Sequence, residues 1–347
     1  MCGSMSKKAA LIRGDGVGPE LTVCALKVLE AVNPDVEFIP VDAGYEWWLQ
    51  HGGPSLIPPE TWKILEEVNA VLKAPCTTPA EPGAPRSVAV SIRQRFDLYA
   101  NVRPIKTFRG LPSPFGDLDF VCVREATEGL YSGIEHRLTP DVAIAVRKIT
   151  RRQSERVARK AFSIAKEKGW SKVIAVTKRN IMRECDGVFI ESVDKVSKEF
   201  PGITYEEYYI DNMAQQLVKN PDRFNYNVIL GTNLFMDVIS EEASGLIASI
   251  GMIYSGNIGD NYAMFEPAHG SAPKYKGQDK VNPTAMILSA AWMLEYLGER
   301  EESRAIFQAV EDVIAEGKVL TYDLKGNAKS SEMAAAIAER AAKLLRR

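Results

Sequence analysis

The sequence predicts an α/β fold built on a largely parallel sheet. Two observations carry that prediction. Short apolar, strand-like runs alternate with helical segments along most of the chain. The composition, 46% hydrophobic and 25% charged over 347 residues, is that of a globular protein large enough for two domains or one large one.

Taken in order, Ala9–Arg13 reads as a strand, followed by the turn Gly14-Asp15-Gly16-Val17-Gly18-Pro19-Glu20 and an apolar-periodic helix to about Val32. Val36–Val41 is a second strand, ending at Asp42. Strand, glycine-rich turn, helix, strand and late acid imitate a dinucleotide-binding fingerprint, but Pro19 stands where the third glycine belongs. Ala70–Ala74 reads as a buried strand feeding Pro75–Pro79. A Pro- and Gly-rich loop from Pro79 to Pro85 then leads to a helix from about Ser87 to Phe96. Leu98–Ile105 alternates, with Tyr99, Asn101 and Arg103 on one side and Leu98, Ala100 and Val102 on the other, which marks a strand with one polar face. Phe120–Val123 is a strand ending at Arg124-Glu125. The middle of the chain supplies a basic helix from about Thr150 to Lys168, the strand Val173–Val176 with Lys178 just past its end, and a helix from Met182. A strand near Tyr205–Ile210, the strand Asn227–Leu230 and a helix from about Leu234 follow, and helices after Pro283, Arg300 and Ser330 close the chain.

Several function classes are excluded by composition. A net charge of −2 gives no general attraction to nucleic acid or anionic membrane, so any anion site must be local. No apolar run reaches the roughly 20 residues that span a bilayer. Five scattered cysteines without CxxC spacing favour reduced thiols in a cytosol over disulfides or zinc, which predicts a cytoplasmic protein. The first residues lack the apolar core of a signal peptide and look like a cloning remnant before Met5.

The chemistry concentrates in Phe265–Pro283. Its prolines and glycines predict a loop, which brings His269, lysines and an aromatic ring to one place, ahead of an apolar helix that Pro283 starts. Such groups suit an anion attached to something flat, such as a phosphate-bearing nucleotide; a solvated loop with a chance charge cluster is the alternative. Arg93, Arg103 and Arg124 are planar forks suited to carboxylates, and three converging forks would suit a di- or tricarboxylate, whereas each alone would be a surface ion pair. Asp237 and Glu241 lie four apart on a helix, where like charges destabilise unless a cation intervenes. With Asp211, three carboxylates without His or Cys suit Mg²⁺ or Mn²⁺; the alternative is a solvated acidic face plus a capping aspartate. Lys178 serves as a base only where desolvation or a nearby cation lowers its pKa, and Tyr131 is the second proton-transfer candidate.

The loop Phe265–Pro283, with Arg93-Gln94, Tyr99–Pro104, Arg124-Glu125, Glu128–Glu135, Lys178–Met182 and Thr232–Glu241, resembles the motifs of the isocitrate and isopropylmalate dehydrogenase family. These are metal-dependent β-decarboxylating dehydrogenases, and the motifs recur in order from Gly14 to Asn282. The resemblance implies an isocitrate/isopropylmalate dehydrogenase-like fold of two α/β domains. The large, discontinuous cofactor domain would comprise 1–100 and 250–347. Residues 101–249 would carry the dimer interface and the metal and catalytic groups. Gly14–Glu20 becomes a structural turn near the cofactor cleft. Arg93, Arg103 and Arg124 would bind the malate part of a hydroxy acid, Asp211, Asp237 and Glu241 the metal, and Tyr131, Lys178 and Asp211 would move protons. A homodimer would share its active sites, with Lys178 and Asp211 given by the neighbouring subunit. Thr78, His269, Gly270, Ser271, Ala272, Lys274, Tyr275, Asn282 and Tyr322 would hold the cofactor.

Lys274, Tyr275 and Tyr322 resemble the NADP-preferring isocitrate enzymes, with Lys325 in place of an expected arginine, which makes NADP the expected cofactor. Ser87 resembles the residue facing the γ-carboxylate of isocitrate, so the expected reaction is isocitrate to 2-oxoglutarate, a tricarboxylic acid cycle step. Homoisocitrate and 3-isopropylmalate are the alternatives. The sequence departs from the family pattern at Glu241 and Met236, where Asp and Gly are usual, and at Ala126 and Ala89, where Asn is usual. Departures of that kind also suit a non-catalytic regulatory subunit, although Tyr131, Lys178, Asp211, Asp237 and all three arginines are present.

Overall fold

The computed structural model describes residues 7–79, 81, 84–111, 113–247 and 249–346. The segment before Met5, and Ala80, Pro82 and Gly83 of the expected Pro79–Pro85 loop, lie outside the described residues.

The N-terminal units follow the pattern of short apolar strands and amphipathic helices. They are β1 (Lys7–Ile12), α1 (Gly18–Val32), β2 (Val36–Val41), α2 (Tyr45–His51), α3 (Pro59–Glu67), β3 (Ala70–Lys73) and α4 (Val88–Arg95). Pro19 starts α1, where a missing amide costs nothing, and Asn33 ends it in the left-handed conformation, its N–H on the Leu29 carbonyl. The centre contributes β4 (Ala100–Lys106), β5 (Asp119–Glu125), the hairpin β6 (Glu135–Thr139) and β7 (Val142–Ala145), α5 (Arg151–Lys168), β8 (Lys172–Thr177), α6 (Arg183–Ser197), β9 (Thr204–Tyr209), α7 (Ile210–Lys219), β10 (Val228–Gly231) and α8 (Asn233–Gly245). The basic helix α5 is capped at both ends, by the Thr150 hydroxyl accepting from the Gln153 amide and by left-handed Gly169. The chain returns through β11 (Tyr254–Ile258) and β12 (Ala263–Pro267) and finishes with α9 (Thr284–Tyr296), α10 (Arg300–Glu316) and α11 (Ser330–Leu345). Helix α9 is apolar on nearly every side and is buried along almost its whole length.

Ten of these strands form one sheet in the order β2-β1-β3-β12-β11-β4-β5-β10-β8-β9. Pairing is parallel except across β12-β11-β4-β5, where it is antiparallel. The sheet is thus mixed, with its reversal at the centre. The first and last hundred residues supply the half from β2 to β11, and the middle of the chain supplies the half from β4 to β9.

One expectation changes. Phe265–Pro267 is not loop but the end of β12, buried throughout, because the apolar residues Ala263–Phe265 continue into the sheet and Pro267 lies past Phe265, the last residue paired with β3. The irregular segment begins at Ala268. The polar side of the alternating strand is present and buried: Asn101 and Arg103 are almost fully covered, because β4 is a central strand and its polar face meets other polar groups.

Candidate functional site

The site lies over the antiparallel centre of the sheet. Strand register aligns Asn257 with Asn101, and Asn101 with Arg124, so polar side chains from β11, β4 and β5 share one face. Glu266, two residues past Met264 opposite Asn257, continues that face on β12, and Lys73 extends it from β3. Helix α4 lies above and lowers Arg93 onto the row. Ser87 caps that helix, its hydroxyl oxygen accepting from the Val90 amide.

Charges that could not stand alone here are paired. Lys73 Nζ lies 2.8 Å from Glu266 Oε2, and Arg93 donates to Glu266 Oε1 at 3.0 Å and to Asn257 Oδ1 at 2.7 Å. Burial alone would push the Glu266 carboxyl up, but Lys73, then Arg93 and the hydrogen bonds overcome it and hold the group at about 2. Burial likewise opposes the Lys73 ammonium, yet the facing Glu266 raises its pKa. Asn101 Nδ2 shares Asn257 Oδ1 at 2.9 Å and its Oδ1 takes Arg103 Nε at 3.2 Å, which strings Arg93, Asn257, Asn101 and Arg103 into one chain of hydrogen bonds.

Arg124 completes the cluster from the end of β5. Its Nε and Nη2 grip Asn233 Oδ1 at 2.9 and 2.6 Å, Nη1 pairs with Asp237, and the guanidinium sits 4.9 Å from the Tyr131 ring centroid. Burial first, then Arg93, hold its pKa below the ordinary arginine value, with Asp237 opposing. The Tyr131 hydroxyl donates to the other Asp237 oxygen, and burial, then that bond, raise the phenol pKa. One turn along α8, Glu241 pairs with Arg103. The repulsion expected between Asp237 and Glu241 is therefore answered by two arginines of this chain. A cavity of about 190 Å³ opens beside the cluster, lined among others by Arg93, Arg103, Ser87, Thr78, His269 and Gly270.

The loop after β12 is locked to the glycine turn. Val17 N–H donates to the Ser271 carbonyl at 2.9 Å, Asp15 N–H to the Pro75 carbonyl at 2.8 Å, and the Thr77 and Ser271 hydroxyls meet at 2.6 Å. At Gly16, with φ +59°, a Cβ would lie 2.1 Å from the Ser271 carbonyl oxygen, so only glycine fits. The turn is thus a clasp that fixes the loop, and Asp15 accepts amides of Tyr45, Glu46 and Thr77.

Beyond the clasp, His269 Nε2 is buried without a partner among the described residues, and burial lowers the ring's pKa. A neutral imidazole with one free nitrogen at a cavity edge fits a bound cofactor's polar group. Ala272 turns the chain in the left-handed region. Lys274 Nζ lies 4.9 Å from the Tyr275 ring centroid, and Lys280 Nζ lies 4.7 Å from that of Tyr322 and 5.6 Å from that of Tyr275. Tyr322 and then Lys274 lower the Tyr275 phenol's pKa. Asn282 is used internally: its Oδ1 accepts from the Thr284 N–H at the start of α9 at 3.0 Å and its Nδ2 donates to Asp323 at 2.9 Å.

Lys178 and Asp211 meet each other at 2.7 Å, and neither lines the cavity nor pairs with the arginine cluster. Lys178, through their hydrogen bond, lowers the Asp211 pKa. Among the described residues no three His, Cys, Asp or Glu side chains gather as a metal cage. Asp237 and Glu241 are oxygen donors of the right chemistry for Mg²⁺ or Mn²⁺, but within one chain they form an incomplete set. Sequence reasoning missed Lys73, Asn257, Glu266 and Lys280. Lys73 was hidden inside an apolar strand, whereas two lysines on one aromatic-bearing loop, Lys274 and Lys280, were a readable signal.

The model of the family described as Isocitrate/isopropylmalate dehydrogenase matches residues 8–337. A 3-isopropylmalate dehydrogenase of Methanothermobacter thermautotrophicus is 43% identical over 333 residues, 96% of this chain and 98% of that one. An NADP isocitrate dehydrogenase of Thermus thermophilus is 40% identical, covering 98% of this chain and 69% of that one. The crystal structure of isocitrate dehydrogenase from Methylococcus capsulatus superposes with a TM-score of 0.91 at 40% identity, over 96% of this chain and 99% of that one. The relatives' names divide over substrate and over NAD or NADP.

Proposed function

We propose, from the premise that this chain belongs to the isocitrate/isopropylmalate dehydrogenase family, that it converts isocitrate to 2-oxoglutarate with NADP as oxidant. Members of the family oxidatively decarboxylate hydroxy acids, using a nicotinamide cofactor and a divalent metal. The observation that carries the reading is the gathering of Arg93, Arg103 and Arg124 on one face of the sheet, with Arg103 on Glu241 and Arg124 on Asp237 beside Tyr131.

Substrate carboxylates would take the guanidinium forks that Asp237 and Glu241 now occupy, releasing both side chains to hold Mg²⁺ or Mn²⁺ together with a partner subunit's third carboxylate. The metal, when bound, supplies Lewis acidity to the substrate's oxygen. Lys178, steadied by Asp211, accepts the hydroxyl proton as hydride passes to the nicotinamide. Tyr131, kept protonated by its surroundings, donates a proton to the carbon that has lost CO₂. In this reading Lys178 and Asp211 act in the neighbouring protomer of a homodimer, as their separation from the cluster suggests. The β6–β7 hairpin, exposed at every residue and bearing Leu138, Val142 and Ile144, supports such a partner. Residues 1–100 with 250–347 would form the cofactor domain and 101–249 the other.

NADP is favoured by two lysines stacked against Tyr275 and Tyr322, where a 2′-phosphate needs cations. Lys280, beside both rings, would add a second cation to the role expected of Lys325. Lys274→Asp should swing kcat/KM towards NAD, and Lys280→Ala should weaken NADP about tenfold while leaving NAD nearly unchanged, since one charge-assisted contact is lost. Equal use of NAD by the unaltered protein would refute the cofactor choice. Ser87 lines the cavity and favours a γ-carboxylate. Comparing kcat/KM on isocitrate, homoisocitrate and 3-isopropylmalate with Mg²⁺ and each cofactor tests the whole reading. Isocitrate should lead; a leading rate on either other acid reassigns the substrate, and no rate on any favours a non-catalytic subunit.

A further inference from the structure

Lys178 leaves β8 with its backbone N–H on Asp186 Oδ2 at 2.6 Å. Asp186, in the first turn of α6, is completely buried, and its other oxygen takes Arg147 Nη2 at 2.7 Å. That same nitrogen donates to Thr232 Oγ1 at 2.9 Å, and the guanidinium lies 5.0 Å from the Phe235 ring centroid. Thr232 immediately precedes α8, the helix bearing Asp237 and Glu241, and Arg147 lies just beyond the exposed β6–β7 hairpin. Arg147 Nη1 is buried without a partner among the described residues. One buried ion pair therefore touches three things at once: the root of Lys178, the start of α8 and the end of the hairpin.

A buried pair of this kind is a poor means of adding stability, because desolvating two charges offsets most of their attraction. What it does well is fix geometry. We propose that Arg147 and Asp186 are positioning residues, which set where Lys178 projects relative to the first turn of α8. The inference rests on Lys178 being the proton-transfer group of the proposed reaction. In the shared-site dimer of that reading, Lys178 serves the partner while α8 serves its own chain, so the pair ties the two sites together.

The test uses the whole chain as it assembles in solution and four variants: Arg147→Lys, Arg147→Met, Asp186→Asn and, as reference, Lys178→Met. Arg147→Lys keeps the charge but is shorter and lacks the planar guanidinium that lies against the Phe235 ring and holds Nη2 between Asp186 and Thr232. It should keep its melting temperature and cofactor Kd, yet lose about ten- to a hundredfold in kcat with little change in KM, the size expected of misplacing a reacting group by about an ångström. Asp186→Asn should lose kcat in the same way, and Arg147→Met more. A folded Arg147→Lys with kcat within twofold of the parent overturns the proposal. So do losses of kcat, cofactor affinity and melting temperature in parallel, which mark a merely structural pair. A near-parental Lys178→Met would remove the premise, whereas an inactive Lys178→Met beside an unimpaired Arg147→Lys would sink the pair alone.

Discussion

Replacing Lys178 by Met lowers overall turnover by about 10²- to 10⁴-fold, the range that a positioned acid or base contributes, and leaves cofactor affinity as it was. The geometry explains why both halves of that outcome are expected. Lys178 Nζ is held at 2.7 Å by Asp211 and does not line the cavity that His269 and Gly270 edge, so its loss would remove the proposed proton acceptor and no cavity contact of its own chain. Tyr131→Phe should fall in the same range by a different route, since its hydroxyl touches Asp237 and lies beside Arg124. Steady-state kinetics with isocitrate, Mg²⁺ and NADP, together with cofactor titration, check both. Near-parental rates in either variant would overturn its assignment.

Glu266→Gln should cost about 3–5 kcal/mol of stability, because it strips the counter-charge from Lys73 and Arg93 while both stay buried. The glutamine matches the carboxylate in shape, so the loss is electrostatic. Lys73→Met should cost less, since Arg93 and Asn257 still bond Glu266 Oε1 and leave the carboxylate one counter-charge, although Oε2 loses its lysine. The sign with pH follows from the lowered Glu266 pKa. Its stabilisation is fully present above the unfolded value of 4.5 and drains away as pH falls towards about 2. Lys73, whose pKa is raised, contributes below 10.5 and loses that contribution as pH rises beyond it. Denaturant unfolding at pH 7 should separate parent from Glu266→Gln clearly, and the gap should close between pH 4.5 and 2. A gap that does not change with pH would mean that the carboxylate's charge is not what holds Lys73.

The sequence by itself determined the class of fold, because the strand and helix periods are local: β1, β8 and β10 and the helices α1, α5 and α9 lie close to where their patterns place them. It also marked Arg93, Arg103, Arg124, Asp237 and Tyr131, since each stands in a motif readable over a few residues, and those five do meet. It did not reveal the antiparallel reversal at β12-β11-β4-β5, the hairpin β6–β7 or the end of β12 at Pro267: the central pair β11–β4 sets Asn257 beside Asn101, which no local pattern announces, and the pairings β6–β7, β11–β12 and β4–β5 between neighbouring strands went unread. Nor did it reveal Lys73 and Glu266, which read as one lysine in an apolar strand and one acid before a proline. Only the tertiary structure decided that their 193-residue separation closes to 2.8 Å. A buried charge needs its counter-charge in space, and nothing in the local sequence says which distant strand will bring it.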